Sequence, residues 1–448
     1  MKKKLLAFGV AGLLVLLVAS IGLAAIEFSV GGDFRTLSYY VANPDLNKDV
    51  GVERSYTEQR LILNPVLKLS DAIQLKMRLR ALDYIWGYNT VPGLTWPGMI
   101  DATGAATDQG EGGSNNFQWD RAWVQVGLGK YGSIQIGRQQ TDLFHNFSIA
   151  EDDTYPRYHY ITPVFALPKD NNIMFGILYD KRAEGNIDKG VDDSFAWCPW
   201  VYFWNPKITI GYVCFVWNRA GQGPNGEAGD WIMHDAMINA TVGPVEIKSE
   251  WDYDTGEFVG LWQDHKDSFE FFVDAGVPLT NPYVNRAAVV VALFSGTKPY
   301  PDAPATKPVH SGSLGSNEDW VDEWKIDLIL WDQLYNTIYN AWIIRPKIDF
   351  VVPNTKFGGF LSACLSFADK RAYDPDTATY VNPAPAGVTL TTGTEKTIGT
   401  EIDLGLNYTL GPRQTIELVL GVLMPGKYFA EDNRDTTIGA GLKTHIRF

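Results

Sequence analysis

From Ala72 to Leu82 every second residue is apolar: Ile73, Leu75, Met77, Leu79 and Ala81 alternate with Gln74, Lys76, Arg78 and Arg80. A helix would scatter those charges around its axis, whereas an extended chain sends successive side chains to opposite faces and collects them on one. The segment before it repeats the division, with Leu61, Leu63, Pro65, Leu67 and Leu69 opposing Arg60, Asn64 and Lys68. Toward the C-terminus Ile402, Leu404, Leu406, Tyr408 and Leu410 oppose Glu401, Asp403, Asn407 and Thr409. Two-faced strands therefore dominate, and beyond Ala25 no apolar run is long enough for a membrane-crossing helix.

The connections are of two alternating kinds. Tight turns fall at Ser70-Asp71, Gly129 to Tyr131, Pro168 to Asn171, Asn205-Pro206, Gly243-Pro244, Pro278 to Pro282, Pro353-Asn354 and Gly411-Pro412. Between them lie long Gly-, Pro- and Asp-rich stretches such as 88–115, 220–229, 297–319 and 373–394. A soluble sandwich shows no such asymmetry, whereas a membrane barrel has short turns on one side and long loops on the other. Eight turns join eight strand pairs, and one strand at each end makes eighteen; dropping the hairpin that contains 157–167 makes sixteen. The expected fold is thus all-β, a closed antiparallel transmembrane β-barrel forming a single domain over 26–448. One segment breaks the period: Trp320, Trp324, Leu328, Trp331 and Tyr335 recur at three or four, which fits a short loop helix or, alternatively, an extended hairpin.

Composition narrows the classes further. A hydrophobic content of 45% with 13% aromatics excludes both a disordered chain and a polytopic helical membrane protein. With 38 Lys+Arg against 52 Asp+Glu, the chain lacks the basic surface that a nucleic-acid partner requires. Lys2, Lys3 and Lys4, the uncharged stretch from Leu5 to Ala25 and the small residues Gly22, Ala24 and Ala25 form a secretory signal over 1–25, so the mature protein is exported through the Sec pathway. Three cysteines are too few for a disulfide framework. Cys198 and Cys214 flank the Asn205-Pro206 turn and are expected as free lipid-facing thiols, a strained cross-strand disulfide being the alternative. No histidine sits with a serine in a nucleophile motif, and no metal-ligand spacing occurs, so neither an enzyme nor a cofactor is expected.

A barrel of this strand number leaves an aqueous lumen, and passive conduction of small hydrophilic solutes and ions follows as the expected function. Lumen-side parity offers Arg60, Lys68, Lys76, Arg78 and Arg80 on strands two and three. The last strand, their neighbour across the closure, adds Lys443, His445 and Arg447. Acids gather instead at Glu246, Glu250, Asp252 and Asp254 on strand eleven and at Glu270 and Asp274 on strand twelve. Facing rows of opposite sign would orient dipolar solutes, and the clustered bases would attract anions. A channel selective for anionic solutes or oligo- and polysaccharides is the alternative. A second class is a surface-binding or structural protein that uses the barrel as an anchor and its aromatic loops, with Trp96, Trp320 and Trp324, as the binding element.

One hairpin carries a family likeness. Arg121-Ala122-Trp123-Val124-Gln125-Val126-Gly127-Leu128-Gly129 leads through a short turn into Ser133-Ile134-Gln135-Ile136-Gly137-Arg138-Gln139. With Gln59-Arg60-Leu61 and Lys76-Met77-Arg78-Leu79-Arg80 it resembles bacterial outer-membrane porins, in particular the alginate-export-like group and the homotrimeric porins of sulfate-reducing bacteria. The resemblance implies an outer-membrane homotrimer in which Arg121 and Arg138 join the pore-lining bases, although simple alternation puts Arg138 on the Ile136 face unless a bulge intervenes. It implies that a loop at about 142–156, with Asp142, Glu151, Asp152 and Asp153, folds into the pore. It also makes the alternating strand that ends in Phe448 the signal taken by the barrel-assembly machinery. The acids on strands eleven and twelve depart from the basic lining of alginate exporters.

Overall fold

The computed structural model describes residues 26–85, 117–139, 155–183, 194–219, 229–256, 268–295, 314–315, 327–335, 337–338, 340–371, 373–374, 379–380 and 387–448. The signal segment, Trp96, Trp320, Trp324 and the acids Asp142, Glu151, Asp152 and Asp153 lie outside the described residues.

Alternation becomes eighteen antiparallel strands among the described residues. They are β1 Glu27–Ala42, β2 Glu53–Lys68, β3 Ile73–Ile85, β4 Phe117–Gly127, β5 Ser133–Gln139, β6 Tyr155–Ile161, β7 Asn171–Ala183, β8 Ser194–Trp204 and β9 Ile208–Arg219. The ring continues with β10 Gly229–Val242, β11 Val245–Gly256, β12 Ser268–Pro278, β13 Val284–Phe294, β14 Ala341–Val351, β15 Phe357–Ala368, β16 Thr397–Gly411, β17 Gln414–Pro425 and β18 Thr437–Arg447. Strand β6 resumes at Phe165–Leu167, and both pieces pair with β7. The Thr162 N–H, donating to Phe175 O at 3.0 Å, carries the ladder across the break, so this hairpin stands and sixteen strands is excluded.

Closure is made by the two ends of the chain. β1 pairs with β18 from Asp33↔Arg447 to Val41↔Gly439. Beyond it Gly32 and Phe448 exchange backbone N–H···O bonds of 2.9 and 3.0 Å. Gly32 is required there because an added Cβ would lie 2.3 Å from Ile62 O and 3.0 Å from the Phe448 ring. Each strand thus has two partners, and the tight turns, the start of β1 and the end of β18 share one end of the barrel.

The outward face is apolar, whereas the inward face carries buried charges among apolar clusters. Ile344, Ile348, Leu361, Ile402, Leu404, Leu406, Leu420, Val422, Ile438 and Leu442 look outward and are exposed, while their neighbours Arg345, Glu401, Asp403 and Lys443 look inward and are buried. Apolar outside and polar inside is the pattern that lipid imposes on a barrel. Bulges adjust it locally: β3 and β4, for example, shift register between Arg78 and Leu79, so that Trp119 faces out while Arg121, two residues on, faces in. Alternation also separates the cysteines. Cys214 lies on the outward face with exposed Tyr212 and Val216, but Cys198 is buried inward in a cluster with Leu178, Trp200, Val213, Phe215, Met233 and Met237. Neither cysteine is in a disulfide, and the expectation of a lipid-facing Cys198 is corrected by this parity.

Next to that cluster the Arg157 guanidinium donates two bonds to Asp180, at 2.5 and 2.7 Å, between inward positions of β6 and β7. Trp200 Nε1–H donates to His159 Nε2 at 2.9 Å one inward position further along β6. The ion pair is almost wholly withdrawn from water, so removing one member strands the other. Asp180→Ala is expected to destabilise the barrel by about 3–5 kcal/mol and the double change Arg157→Met/Asp180→Leu by much less. Urea unfolding in lipid vesicles measures both, and equal losses would contradict the pairing.

Candidate functional site

The inner face of the barrel assembles charges from distant parts of the chain into rows. His445, Arg35 and Arg60 are lateral partners across β18, β1 and β2. Arg35 Nε donates to His445 Nε2 at 3.3 Å and meets Asp33 Oδ1 at 2.9 Å, and Arg447 Nε donates to the same imidazole nitrogen at 3.4 Å. The imidazole therefore accepts at Nε2, as a neutral ring does. Arg80 is the partner of Ile62, and Arg78 lies directly across from Arg121. Lys76 pairs with Val66 and with Trp123, and Lys443 with Leu37 and Glu417. Lys68 stands at the turn end of β2, 3.0 Å from Asp71 and 3.6 Å from Glu27.

A second set of rows occupies the opposite arc. Asp235, Asp252 and Glu270 are lateral partners across β10, β11 and β12, and Met237, Glu250 and Phe272 form the next row. In strand order β10 to β12 lie half the ring away from β1 to β3. The acids are 0–4% exposed and the arginines Arg35, Arg60, Arg78, Arg80 and Arg121 3–8%, so both sets are largely withdrawn from bulk water. Closer to the turns Glu246 is exposed, and Asp274 is neutralised by Arg286 at 2.6 Å, which also approaches Asp349 at 3.7 Å.

Arg138 departs from the expected set. β4 and β5 pair without a register shift, and Arg138 is exposed on the outward face, across from Ala122 and beside Ile136. Gly137 adopts φ +137, where an added Cβ would lie 2.4 Å from Ala122 O. This local distortion does not add the residue that a parity change needs.

The inner wall of β15 to β18 is covered by a segment returning from the connection between β13 and β14. Asp327 leads into a short π-helix, Ile329–Tyr335, and Leu328, Ile329, Leu330, Trp331 and Leu334 are buried against inward residues Val419 and Leu423. Glycines make room for it: a Cβ on Gly439 would lie 2.9 Å from Ile329 Cγ1 and one on Gly421 3.3 Å from Ile329 Cδ1. A single carboxylate anchors it. Glu401 Oε1 accepts the N–H groups of Leu328 and Ile329 at 3.0 and 2.7 Å, and Oε2 accepts that of Leu330 at 2.9 Å. Asp327 Oδ1 accepts the Trp331 N–H at 2.9 Å, and Trp331 Nε1–H donates to Ser366 at 3.1 Å. The helical period around Leu328 and Trp331 foreshadowed the turn, but not its place inside the barrel. Arg35, Asp235 and Arg345 were also unforeseen; each stands in a strand whose inward face mixes charged and apolar residues, and alternation alone would have found its face.

No family model and no curated protein matches the chain. Solved structures do share its fold. OccAB3 of Acinetobacter baumannii aligns over 94% of this chain and 99% of its own at 8% identity, with a TM-score of 0.53. The outer membrane protein OpdK of Pseudomonas aeruginosa covers 94% and 99% at 10% identity, TM-score 0.46. An anion-selective porin from Comamonas acidovorans covers 94% and 100% at 12% identity, TM-score 0.41.

Spin labels distinguish the two faces directly. A nitroxide at Arg138→Cys is expected to be broadened by lipid-soluble oxygen, and one at Arg78→Cys by an aqueous nickel chelate. Aqueous broadening at 138 would return that residue to the lumen.

Proposed function

We propose that the chain is an outer-membrane porin, a channel for passive diffusion of small hydrophilic solutes and ions, with a preference for anions and carboxylates at its narrowest level. The observation that carries this reading is the opposition of two rows: His445, Arg35 and Arg60 on one arc, Asp235, Asp252 and Glu270 on the other. A soluble sandwich would exclude such charges from its interior, whereas a conducting lumen uses them to hold a transverse field. The basic arc spans five adjacent strands, β18 through β4, and includes Lys76, Arg78, Arg80, Arg121, Lys443 and Arg447. Glu246 and Glu250 extend the acidic side, while Asp274 is offset by Arg286. The rest of the reading follows from the resemblance drawn above: residues 1–25 direct export and are removed, 142–156 narrow the entrance with Asp142, Glu151, Asp152 and Asp153, and Phe448 presents the last strand to the assembly machinery. The mature barrel is a homotrimer in this reading.

A barrel-anchored surface protein is the second reading, favoured by the apolar segment packed inside β15 to β18. It predicts no steady open conductance.

Reversal potentials in a salt gradient test the first. The unmodified channel is expected to prefer anions, and Lys76→Gln/Arg78→Gln/Arg80→Gln to shift the potential toward the cation side. A strong cation preference before substitution would contradict the proposed role of the bases.

A further inference from the structure

The segment inside the barrel is held by groups whose charges cannot all coexist. Facing it are its own Asp327, Glu401 and Asp403 from β16, Arg345 from β14, and Cys364 with Ser362 and Ser366 from β15. Among the described residues, β17 and β18 place Val419, Gly421, Leu423 and Gly439 against it. Lys347, the next inward residue of β14, is engaged elsewhere, 2.9 Å from Asp349 and over the Phe360 ring. Glu401 and Asp403 converge: a Cβ on Gly421 would lie 2.8 Å from Asp403 Oδ1 and 3.2 Å from Glu401 Oε1. Asp327, Glu401 and Asp403 are each 1% exposed and Arg345 2%. Among the described residues, three carboxylates share one guanidinium out of water and carry excess negative charge, which is relieved either by binding a proton or by moving one carboxylate away. Only Asp327 belongs to a part that moves without breaking the ring of strands.

Resting on the channel reading, we propose that Asp327–Tyr335 is a pH-responsive stopper, docked on the wall of β15 to β18 while the carboxyl cluster holds a proton and released into the lumen as the cluster ionises. Burial, with Asp403 second, pushes the Asp327 carboxyl from its ordinary 3.8 up to about 8, against the opposing pull of the Trp331 N–H and Arg345. The docked form thus binds the proton more tightly than the free segment. Docking is strongest below the ordinary carboxyl range and weakens as pH rises through the docked value. Release uncovers Ser366, the partner of Trp331, and with it Cys364, whose Sγ lies 3.7 Å from Ser366 Oγ.

Cys364 reports the movement without reference to conductance. In a Cys198→Ala/Cys214→Ala background, at about pH 9 where thiols react as thiolates, a small water-soluble thiosulfonate is expected to modify Cys364 about tenfold faster in the otherwise native chain than after Asp327→Asn, the population change that one unit of proton linkage gives. Asparagine keeps the acceptor for the Trp331 N–H and removes the charge. Oxidised Ile329→Cys/Gly439→Cys, whose Cβ separation suits a disulfide, locks the segment and should protect Cys364 at every pH. Glu401→Gln, which loses one of the two accepting oxygens, should expose it at low pH. Equal labelling in the native and Asp327→Asn chains, or labelling that survives the lock, overturns the stopper. Planar-bilayer recording of the same proteins separates this from the channel reading. Conductance that rises with pH and flattens when locked supports both, whereas pH-dependent labelling with no conductance sinks the channel and leaves the stopper standing.

Discussion

A backbone surrounded by hydrocarbon has no water to receive its N–H and C=O groups, so each must find a partner within the protein. In this chain that demand is met by a single seam between its two ends. β1 and β18 pair from Asp33↔Arg447 to Val41↔Gly439, and Phe448 completes the ladder on Gly32. Without the seam the sheet would keep two long edges, and edges in lipid are untenable. With it, every second residue is released from the task of packing a core and faces an enclosed space instead.

The seam also decides which charges become neighbours. Arg35 and Arg60 come from the first strands of the barrel and His445 from its last, more than 380 residues apart, yet they occupy one row. Asp235, Asp252 and Glu270, from the middle of the chain, fall on the far arc because a ring places its midpoint opposite its junction. Holding such groups at low exposure costs solvation, and partners of opposite sign offset it where they touch, as Arg157 and Asp180 do. Charges kept near the middle of a barrel are costly for stability, which is the physical argument for their having a use.

The sequence made the strands legible because period two marks both faces at once, and their number because turn residues such as Asn205-Pro206 and Gly243-Pro244 leave little choice of position. The broken strand at 155–167 was legible from loop polarity rather than from its own pattern, since Thr162 and Val164 interrupt it. What escaped were features that depend on register between strands. The extra residue between Trp119 and Arg121 reverses parity with no sequence mark, and no such residue rescues Arg138. Parity across the turn sent Cys198 and Cys214 apart, although their spacing suggested a pair. Glu401 was legible as a polar-face residue, but its backbone partners lie 71 to 73 residues earlier in the chain, beyond the reach of any local pattern.

The central claim is that outward side chains meet lipid while inward ones meet water that runs from one end of the barrel to the other. Osmotic swelling of vesicles carrying the folded protein tests it most directly, with neutral sugars of increasing size as solutes. Swelling is expected at a rate that falls as the sugar grows, since a lumen enclosed by eighteen strands sieves by size. Vesicles as tight as protein-free ones, from a chain that stays dispersed in plain buffer without detergent, would contradict it.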